Sequence, residues 1–419
     1  MRVIDVLLRF CLISLMLLQG CAGLAVGESK PSSDGRQAMD GRPPAELPMT
    51  FRTLGPDQRF SELSSTTAAE RLRILRAGEP LSILALSGGG AGGAFGAGAV
   101  AGLTRTGARP AFDVVTGVSA GALVAPYAFL GPAWDAQLLE AFTGAAGENL
   151  LQSRGLGVIF GSSVYSGRPL QQLIDAYVSD AMIRAVAREA EKGRLLLVAT
   201  TDVASGESVV WDLGAIAMNG GASARTLFRD VLVASASVPG MFPPVIIRVD
   251  ENGWSQTQAH VDGAATVPFF VPPAFLLTAS DTVGARRTAV FVIVDGSLGD
   301  AARTTRLTAR SILSRSIRLG LSHLLLTTLE LTAATAQLDG ADLQYSSLPA
   351  GYPLSDSLDF SAKIRGPLFR YAYDCAQAGR FWTAFPRAEQ DNTPLHGMAQ
   401  MQPVPCPADD PYFGYFATR

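Results

Sequence analysis

The sequence predicts an α/β protein with three layers and a mostly parallel central sheet, built as a single domain with a helical C-terminal part. Two observations carry this prediction. Between residues 81 and 300, short apolar runs of strand length alternate with segments of helical period, a pattern that favours parallel strands covered by helices. The 419 residues are 48% hydrophobic and 17% charged, which suffices for one large buried core.

The strands and helices can be placed in order along the chain. The predicted strands cover residues 81–86, 112–116, 195–199, 208–211, 245–249, 255–261 and 289–294. The predicted helices cover residues 94–103 and 122–130, followed by one long amphipathic helix over 168–191. Asp-Glu-Asn-Gly at 250–253 indicates a β-hairpin turn. After about residue 305 the pattern is helical, so residues 301–419 are predicted to be a helical extension packed on the same domain.

The first 20 residues have the pattern of an export signal and are left out of the fold. Arg2 and Arg9 flank the start of an apolar stretch over 10–18, which is too short to span a bilayer. Leu-Gln-Gly-Cys at 18–21 resembles a bacterial lipoprotein signal, in which Cys21 becomes the lipidated first residue. The alternative is ordinary secretion, with cleavage after residues 23–25. We therefore expect an exported protein, either anchored to the bacterial cell envelope or periplasmic or secreted.

Residues 21–48 are rich in Gly, Pro, Ser and charge without an apolar period, which predicts a flexible tether. Residues 49–80 lead into the domain through a short predicted helix over 66–76. Of the four cysteines, Cys11 and Cys21 belong to the signal and the anchor. Cys375 and Cys406 remain, and an oxidising compartment would allow them to form a disulfide. Two free thiols are the alternative.

Charge and ligand patterns narrow the possible functions. The formal net charge is −3, so the chain lacks the basic footprint of a nucleic-acid-binding protein. No Cys-x-x-Cys or histidine-rich spacing predicts a metal site. Only three histidines are present, at positions 260, 323 and 396.

The segment Gly-Val-Ser-Ala-Gly at 117–121 is the strongest catalytic signal in the chain. A predicted strand precedes it and a predicted helix follows it. In this context Gly-x-Ser-x-Gly forms a tight turn that exposes the serine hydroxyl. The sequence therefore predicts Ser119 as a nucleophile, with an ordinary glycine turn as the alternative.

A glycine-rich loop lies directly after the first strand and before a helix. Its glycines are Gly88, Gly89, Gly90, Gly92 and Gly93. Such a loop can direct backbone N–H groups at an anionic oxygen, which is either a nucleotide phosphate or the oxyanion of an acyl intermediate. The nucleotide alternative is disfavoured, because no acidic residue ends a second strand about 20 residues on and no Gly-Lys-Ser/Thr follows. We predict an oxyanion hole.

A nucleophilic serine needs a base. His260 shares a strand face with Asp262, since side chains two residues apart point the same way. Asp262 ends the hairpin strand and is followed by a glycine, which makes it the better candidate. Asp295, at the end of another strand, is a rival that the residues alone leave open.

These three motifs, in this order, resemble the patatin-like phospholipase family. The Gly88 loop, the Ser119 elbow and Asp262-Gly263-Ala264 match its glycine-rich loop, its Gly-x-Ser-x-Gly and its aspartate motif. The resemblance implies that residues 81–300 are a patatin-like catalytic domain. It also implies a Ser119–Asp262 dyad without histidine, and no metal or cofactor. The family usually has Arg or Lys where Gly92 stands here, so one source of positive potential is missing.

The resemblance implies a serine hydrolase acting on phospholipid or other long-chain acyl esters. A short-chain esterase using His260 is one alternative. A catalytically silent envelope protein that binds lipid or a partner is another.

Two segments suggest contact with membranes. The apolar run 267–277 contains three prolines, which exclude a spanning helix, and it predicts either buried core or a lipid contact. Arginines at 303, 306, 310, 315 and 318 alternate with apolar residues. They predict either a solvated helix face or a basic amphipathic helix on anionic lipid.

Overall fold

The structure is a computed structural model. It describes residues 50–53, 81–144, 147, 150–152, 162–251, 254–272, 288–298, 307–349, 352 and 357–384. The predicted export signal, tether, lead-in helix and Cys21 lie outside the described residues, and so does Cys406. The expectations about them stay predictions.

The described strands form one ten-stranded mixed sheet. In chain order the strands are β1 (Thr50–Thr53), β2 (Ser82–Leu86), β3 (Val114–Val118), β4 (Leu195–Asp202), β5 (Ser208–Asp212), β6 (Val245–Glu251), β7 (Trp254–Asp262), β8 (Ala289–Ser297), β9 (Asp342–Leu348) and β10 (Thr383–Ala384). The spatial order is β1-β5-β4-β3-β2-β8-β9-β10. The five central strands from β4 to β9 run parallel, and the outer strands pair antiparallel.

Helices cover both faces of the sheet. In chain order they are α1 (Gly93–Arg105), α2 (Ala120–Leu130), α3 (Asp135–Thr143), α4 (Arg168–Tyr177), α5 (Asp180–Glu191), α6 (Leu213–Asn219), α7 (Gly221–Ser235), α8 (Ala309–Leu338) and α9 (Ala362–Gln377). Within the described part of the chain, no helix is long and apolar enough to cross a membrane.

Alternating side chains of the central strands build two separate cores. Leu84 of β2 and Val198 of β4 face a core shared with most of the helices. Their neighbours Ile83 and Leu197 face the opposite core, to which α8 contributes. This alternation is the strand period of two, and the predicted three-layer α/β fold is confirmed.

Strand β4 pairs with both β3 and β7 and thereby fixes their relative position. Its Ala199 pairs with Val118 at the end of β3, and its Thr200 pairs with Asp262 at the end of β7. Because β5 occupies the other side of β4, β3 and β7 lie end to end along the same side. The residue that follows β3 is therefore placed beside the last residue of β7.

Two predicted elements differ from the structure. The long helix predicted over 168–191 is two helices, α4 and α5, because the Ser179 side chain accepts the Met182 N–H and starts a new helix. The C-terminal part is not purely helical, since β9 joins the parallel sheet beside β8 and β10 follows it. The sequence of β9, Asp-Leu-Gln-Tyr-Ser-Ser-Leu, lacks the apolar run of the other central strands.

Two other expectations can be compared with the described residues. Phe269, Phe270 and Val271 are buried in the core beneath α8, which supports the core alternative for this part of the 267–277 run. Cys375 is buried and disulfide-bonded. Its predicted partner Cys406 is not among the described residues, so the pairing itself stays a prediction.

Candidate active site

Ser119 sits in a strained turn between β3 and α2. Its φ of 53° places it in the left-handed region, and among the described residues no other non-glycine has a positive φ. Such a conformation is costly for a residue with a side chain, and it marks functional sites. A Cβ on Gly121 would overlap the backbone at the end of β2. The elbow can therefore pack against β2 only with glycine at this position.

The Ser119 hydroxyl donates a 2.5 Å hydrogen bond to Asp262 Oδ2. The other carboxylate oxygen, Oδ1, accepts the N–H of Ala264 at 2.8 Å. Both side chains are nearly inaccessible, with Ser119 5% and Asp262 2% exposed. The structure therefore brings together the two residues that the sequence predicted as nucleophile and base.

Burial raises the pKa of Asp262 to about 7, although its hydrogen bonds from Ser119 and Ala264 act in the opposite direction. Removing a carboxylate from water disfavours its charged form. A base is most effective when its pKa lies near the working pH. Asp262 is therefore a much better proton acceptor at neutral pH than a solvated aspartate.

Backbone contacts fix the orientation of both residues. The Ser119 N–H donates to Ser235 Oγ at 3.0 Å, and the Ser235 hydroxyl donates to Ala199 O at 2.7 Å. The Asp262 N–H donates to Ser237 O at 2.9 Å. The run that begins at Ser235 resembles a segment of the patatin-like family in sequence, but the sequence assigns neither serine a role, because only the fold brings the end of α7 under the elbow.

His260 takes no part in the Ser119 contact. Its imidazole is fully buried, with Nδ1 3.0 Å from Thr200 Oγ1 and Nε2 3.2 Å from Gln258 Oε1. Trp211 packs edge-on against the ring and donates to the same Thr200 hydroxyl. These contacts favour a structural role for His260.

Asp295 lies on the opposite side of the glycine-rich loop from Ser119. A Cβ on Gly88 would touch Ser119 Cβ at 3.1 Å, whereas Cβ atoms on Gly89 and Gly92 would overlap the Asp295 carbonyl oxygen. Asp295 Oδ1 accepts the N–H of Gly96 at 2.9 Å, and burial raises its pKa well above the usual value. The geometry therefore favours Asp262 over Asp295 as the base.

Some backbone N–H groups of the glycine-rich loop donate hydrogen bonds within the protein, and others do not. The Gly88 N–H donates to Pro268 O at 3.0 Å and the Gly92 N–H to Gly89 O at 2.9 Å. The Gly93 N–H donates to the carbonyl oxygens of Ala91 and Gly90. The N–H groups of Gly89 and Gly90 have no partner in the described part of the chain. These two glycines are therefore the candidate oxyanion donors, and the other three predicted glycines shape the loop.

A third candidate donor is the N–H of Ala120, the first residue of α2. It also has no partner among the residues described, as expected at a helix start. The general rule that the residue after the nucleophile supplies an oxyanion donor would have identified it from the sequence.

Ser119 opens into a deep apolar pocket. Ala120, Leu123 and Tyr127 line it along one face of α2. Residues from several other elements complete the wall, among them Phe142, Leu170, Leu173, Ile174, Met182, Leu232, Phe242 and Phe360. The cavity inside this wall has a volume of about 90 Å³, so the pocket is narrow. Such a wall suits a hydrocarbon chain.

Two polar groups also line this pocket. Tyr127 has a buried hydroxyl without a partner in the described residues, and burial raises its pKa. Arg365 is 4% exposed and donates to the carbonyls of Phe142, Gly144 and Phe360.

The described residues contain no group of three or more metal-binding side chains.

The site combines an elbow serine bonded to a buried carboxylate with unbonded N–H groups and an apolar pocket. This arrangement suits a serine acyl hydrolase on an α/β fold. Comparison with known proteins agrees. Residues 84–274 match the patatin-like phospholipase family. A domain of this family indicates lipid acyl hydrolysis as the general activity.

Among solved structures, the chain is similar to VipD from Legionella pneumophila. The TM-score is 0.36 at 11% sequence identity, and the match covers 73% of this chain and 68% of VipD. No curated protein matches the chain.

Changing Gly92 tests how tightly the loop packs on β8. The family's basic residue does not fit here, because even a Cβ would overlap the Asp295 carbonyl oxygen. We expect Gly92→Ala to lower the free energy of unfolding by about 1–3 kcal/mol and to reduce activity. Gly366→Ala is the matched control, since its Cβ would meet nothing within 4 Å. Denaturant unfolding measures both, and a fully stable, fully active Gly92→Ala would contradict the packing.

Proposed function

We propose that this protein is a serine lipid acyl hydrolase that cleaves carboxylic esters of long acyl chains, with phospholipids as the leading substrates. The observation that carries the proposal is the 2.5 Å bond between Ser119 Oγ and Asp262 Oδ2 at the wall of an apolar pocket. The Ser–Asp dyad and the carboxylic ester specificity are part of this proposal.

In the first half of the reaction, Ser119 Oγ attacks the ester carbonyl carbon while Asp262 accepts the hydroxyl proton. The carbonyl oxygen becomes an oxyanion, which the N–H groups of Gly89, Gly90 and Ala120 would bind. Donors fixed in advance stabilise such a charge without reorganising. The protonated Asp262 then donates to the departing alcohol oxygen as the C–O bond breaks, leaving an acyl ester on Ser119.

In the second half, water attacks the acyl ester and Asp262 takes its proton. The same N–H groups bind the second oxyanion. Collapse of this intermediate releases the fatty acid, and the proton returns to Ser119 Oγ. The Ser119 hydroxyl, the Asp262 carboxylate, backbone N–H groups and water account for every step, so the proposed reaction requires no metal or cofactor.

The length of the pocket wall predicts the length of the acyl chain that the pocket can hold. A helix rises 1.5 Å per residue, so the α2 face from Ser119 to Tyr127 is about 12 Å long. Carbon–carbon bonds of about 1.5 Å advance an extended chain by roughly 1.25 Å per carbon. An extended acyl chain of about ten carbons would therefore lie along this wall, which favours esters of medium and long acyl chains over acetyl esters.

Leu123 tests this assignment, because it lines the pocket one helical turn from the nucleophile. We expect Leu123→Trp to fill the pocket and to lower kcat/KM for a long-chain ester by about 10–200-fold. An acetyl ester should be cleaved at a rate close to that of the unchanged protein. Leu139→Trp is the control, since Leu139 is 45% exposed on α3 and does not line this pocket. Equal losses on both esters would contradict the assignment.

A panel of lipids tests the proposed function directly. Phospholipids with different head groups, a triacylglycerol and a short-chain ester would be incubated with the protein, and released fatty acids measured by mass spectrometry. We expect fatty acid release from phospholipid. Cleavage of the short-chain ester alone would favour the esterase alternative. No release from any ester would favour a protein that binds lipid without hydrolysing it.

We also propose that the chain is exported and anchored through a lipidated Cys21. The support is the sequence pattern at residues 18–21. Growth with a radioactive fatty acid should label the protein, and Cys21→Ala should remove the label. Labelling that survives this substitution would contradict the anchor.

A further inference from the structure

Helix α8 packs on the sheet through its C-terminal half. Among its described side chains, the buried ones are Leu325, Leu329, Ala333 and Ala336, spaced four, four and three residues apart. They pack into the core on one face of the sheet. The attachment therefore involves the C-terminal half of this 30-residue helix.

The N-terminal half, residues 309–324, has a different surface. None of its described side chains is buried. Ile312, Leu319, Leu321 and Leu324 are 36–47% exposed. At 1.5 Å per residue, this half is about 24 Å long. Leu331 and Leu338 in the C-terminal half are also exposed, at 68% and 87%. Exposed leucines alone therefore do not distinguish the two halves, and the difference lies in the absence of described buried side chains and in the charge.

The direction of α8 places this half toward the catalytic edge of the sheet. The helix ends just before β9, whose first residue Asp342 pairs with Ala289 at the start of β8. The C-terminus of α8 therefore lies at the amino edge of the parallel strands. Its N-terminal half points to the carboxyl edge, where the Ser119 elbow and the glycine-rich loop lie.

The charge of this region indicates the partner. Residues 301–329 contain five arginines and no aspartate or glutamate, in a chain with a net charge of −3. Arg315 and Arg318 belong to the described part of the N-terminal half. A helix that combines exposed leucines with arginines, and no acidic residues, has the composition of helices that lie in the interface of anionic membranes.

We propose that residues 309–324 of α8 dock on an anionic lipid bilayer, with the exposed leucines entering the acyl boundary and Arg318 contacting phosphate groups. Docking in this way would hold the carboxyl edge of the sheet close to the bilayer surface. This consequence for catalysis rests on the proposed function, whereas the binding itself does not.

Binding to vesicles tests the proposal. The full chain would carry Ser119→Ala, to prevent hydrolysis, and Cys21→Ala, to remove any lipid anchor. We expect it to sediment with phosphatidylcholine vesicles that contain roughly 30% of the anionic lipid phosphatidylglycerol. Binding to pure phosphatidylcholine should be at least about tenfold weaker. Equal binding to both vesicles would overturn the anionic preference.

Variants locate the surface. Leu319→Asn with Leu324→Asn should weaken vesicle binding by about tenfold or more, and Arg318→Gln by about fivefold. Leu338→Asn is the matched control, because Leu338 is 87% exposed at the far end of the same helix. Thermal unfolding checks that all variants remain folded. If the double variant binds as tightly as its parent, the proposal is wrong.

A second measurement separates this proposal from the proposed function. With Ser119 intact, the double variant should cleave a monomeric soluble ester at the unchanged rate and vesicle phospholipid more slowly. Loss of cleavage on both substrates would contradict the docking role. If the unchanged protein cleaves neither substrate but still binds anionic vesicles, only the proposed function fails.

Discussion

Replacing Ser119 with alanine is expected to lower kcat for ester cleavage by about 10⁴-fold or more. The substitution removes the nucleophilic oxygen and leaves the pocket and the unbonded N–H groups in place. KM should change little, because the acyl chain is held by apolar contacts that the substitution does not touch. Initial rates on a long-chain ester, together with labelling by a fluorophosphonate, measure the effect.

Ser223→Ala provides the control, since Ser223 is an exposed serine near the start of α7. It should be labelled and active like the unchanged protein. Fluorophosphonate labelling of Ser119→Ala at the normal level would place the nucleophile elsewhere. In that case the short Ser119–Asp262 bond would have only a structural role.

Replacing Asp262 with asparagine is expected to lower kcat by about 10²–10⁴-fold. Asparagine has nearly the same shape and can keep a hydrogen bond to Ser119, but it cannot accept the proton. The pH dependence gives a second readout. Because burial raises the pKa of Asp262 to about 7, kcat/KM of the unchanged protein should rise with pH, with a midpoint near 7. The residual activity of the variant should lack this rise.

Asp295→Asn is the matched control, because Asp295 is also a fully buried aspartate next to the loop. Asparagine can still accept the N–H of Gly96, so activity and the rise near pH 7 should both remain. A variant Asp262→Asn that stays active, together with an inactive His260→Ala, would assign the base to histidine instead.

The sequence was sufficient for the motifs whose meaning is local. Ser119 is recognisable because a strand, two glycines and a helix surround it, and the glycine-rich loop follows its strand directly. Asp262 could only be favoured over Asp295 from the residues, since their positions relative to the loop depend on which strands are neighbours. The raised pKa of Asp262 was beyond prediction, because it depends on the burial of the carboxyl group.

Other features depend on contacts that no sequence pattern contains. Strand β9 is too polar to be recognised as a central strand, and its place beside β8 is decided by the packing of α8. The division of 168–191 into two helices depends on one serine cap. Which N–H groups of the loop stay unbonded depends on distant partners. Pro268 O accepts the Gly88 N–H and Ser357 O accepts the Ala91 N–H, and both lie more than 150 residues away along the chain.

The alignment of β3 and β7 along β4 makes activity a measure of completed folding. Ser119 and Asp262 are 143 residues apart in sequence, and they meet only when the hairpin of β6 and β7 has taken its register at Thr200. A slip of one residue would turn Asp262 to the opposite face of the sheet. Contacts of such long range form late and slowly. During refolding, ester cleavage should therefore return after the helical signal, and no partly folded intermediate should hydrolyse lipid.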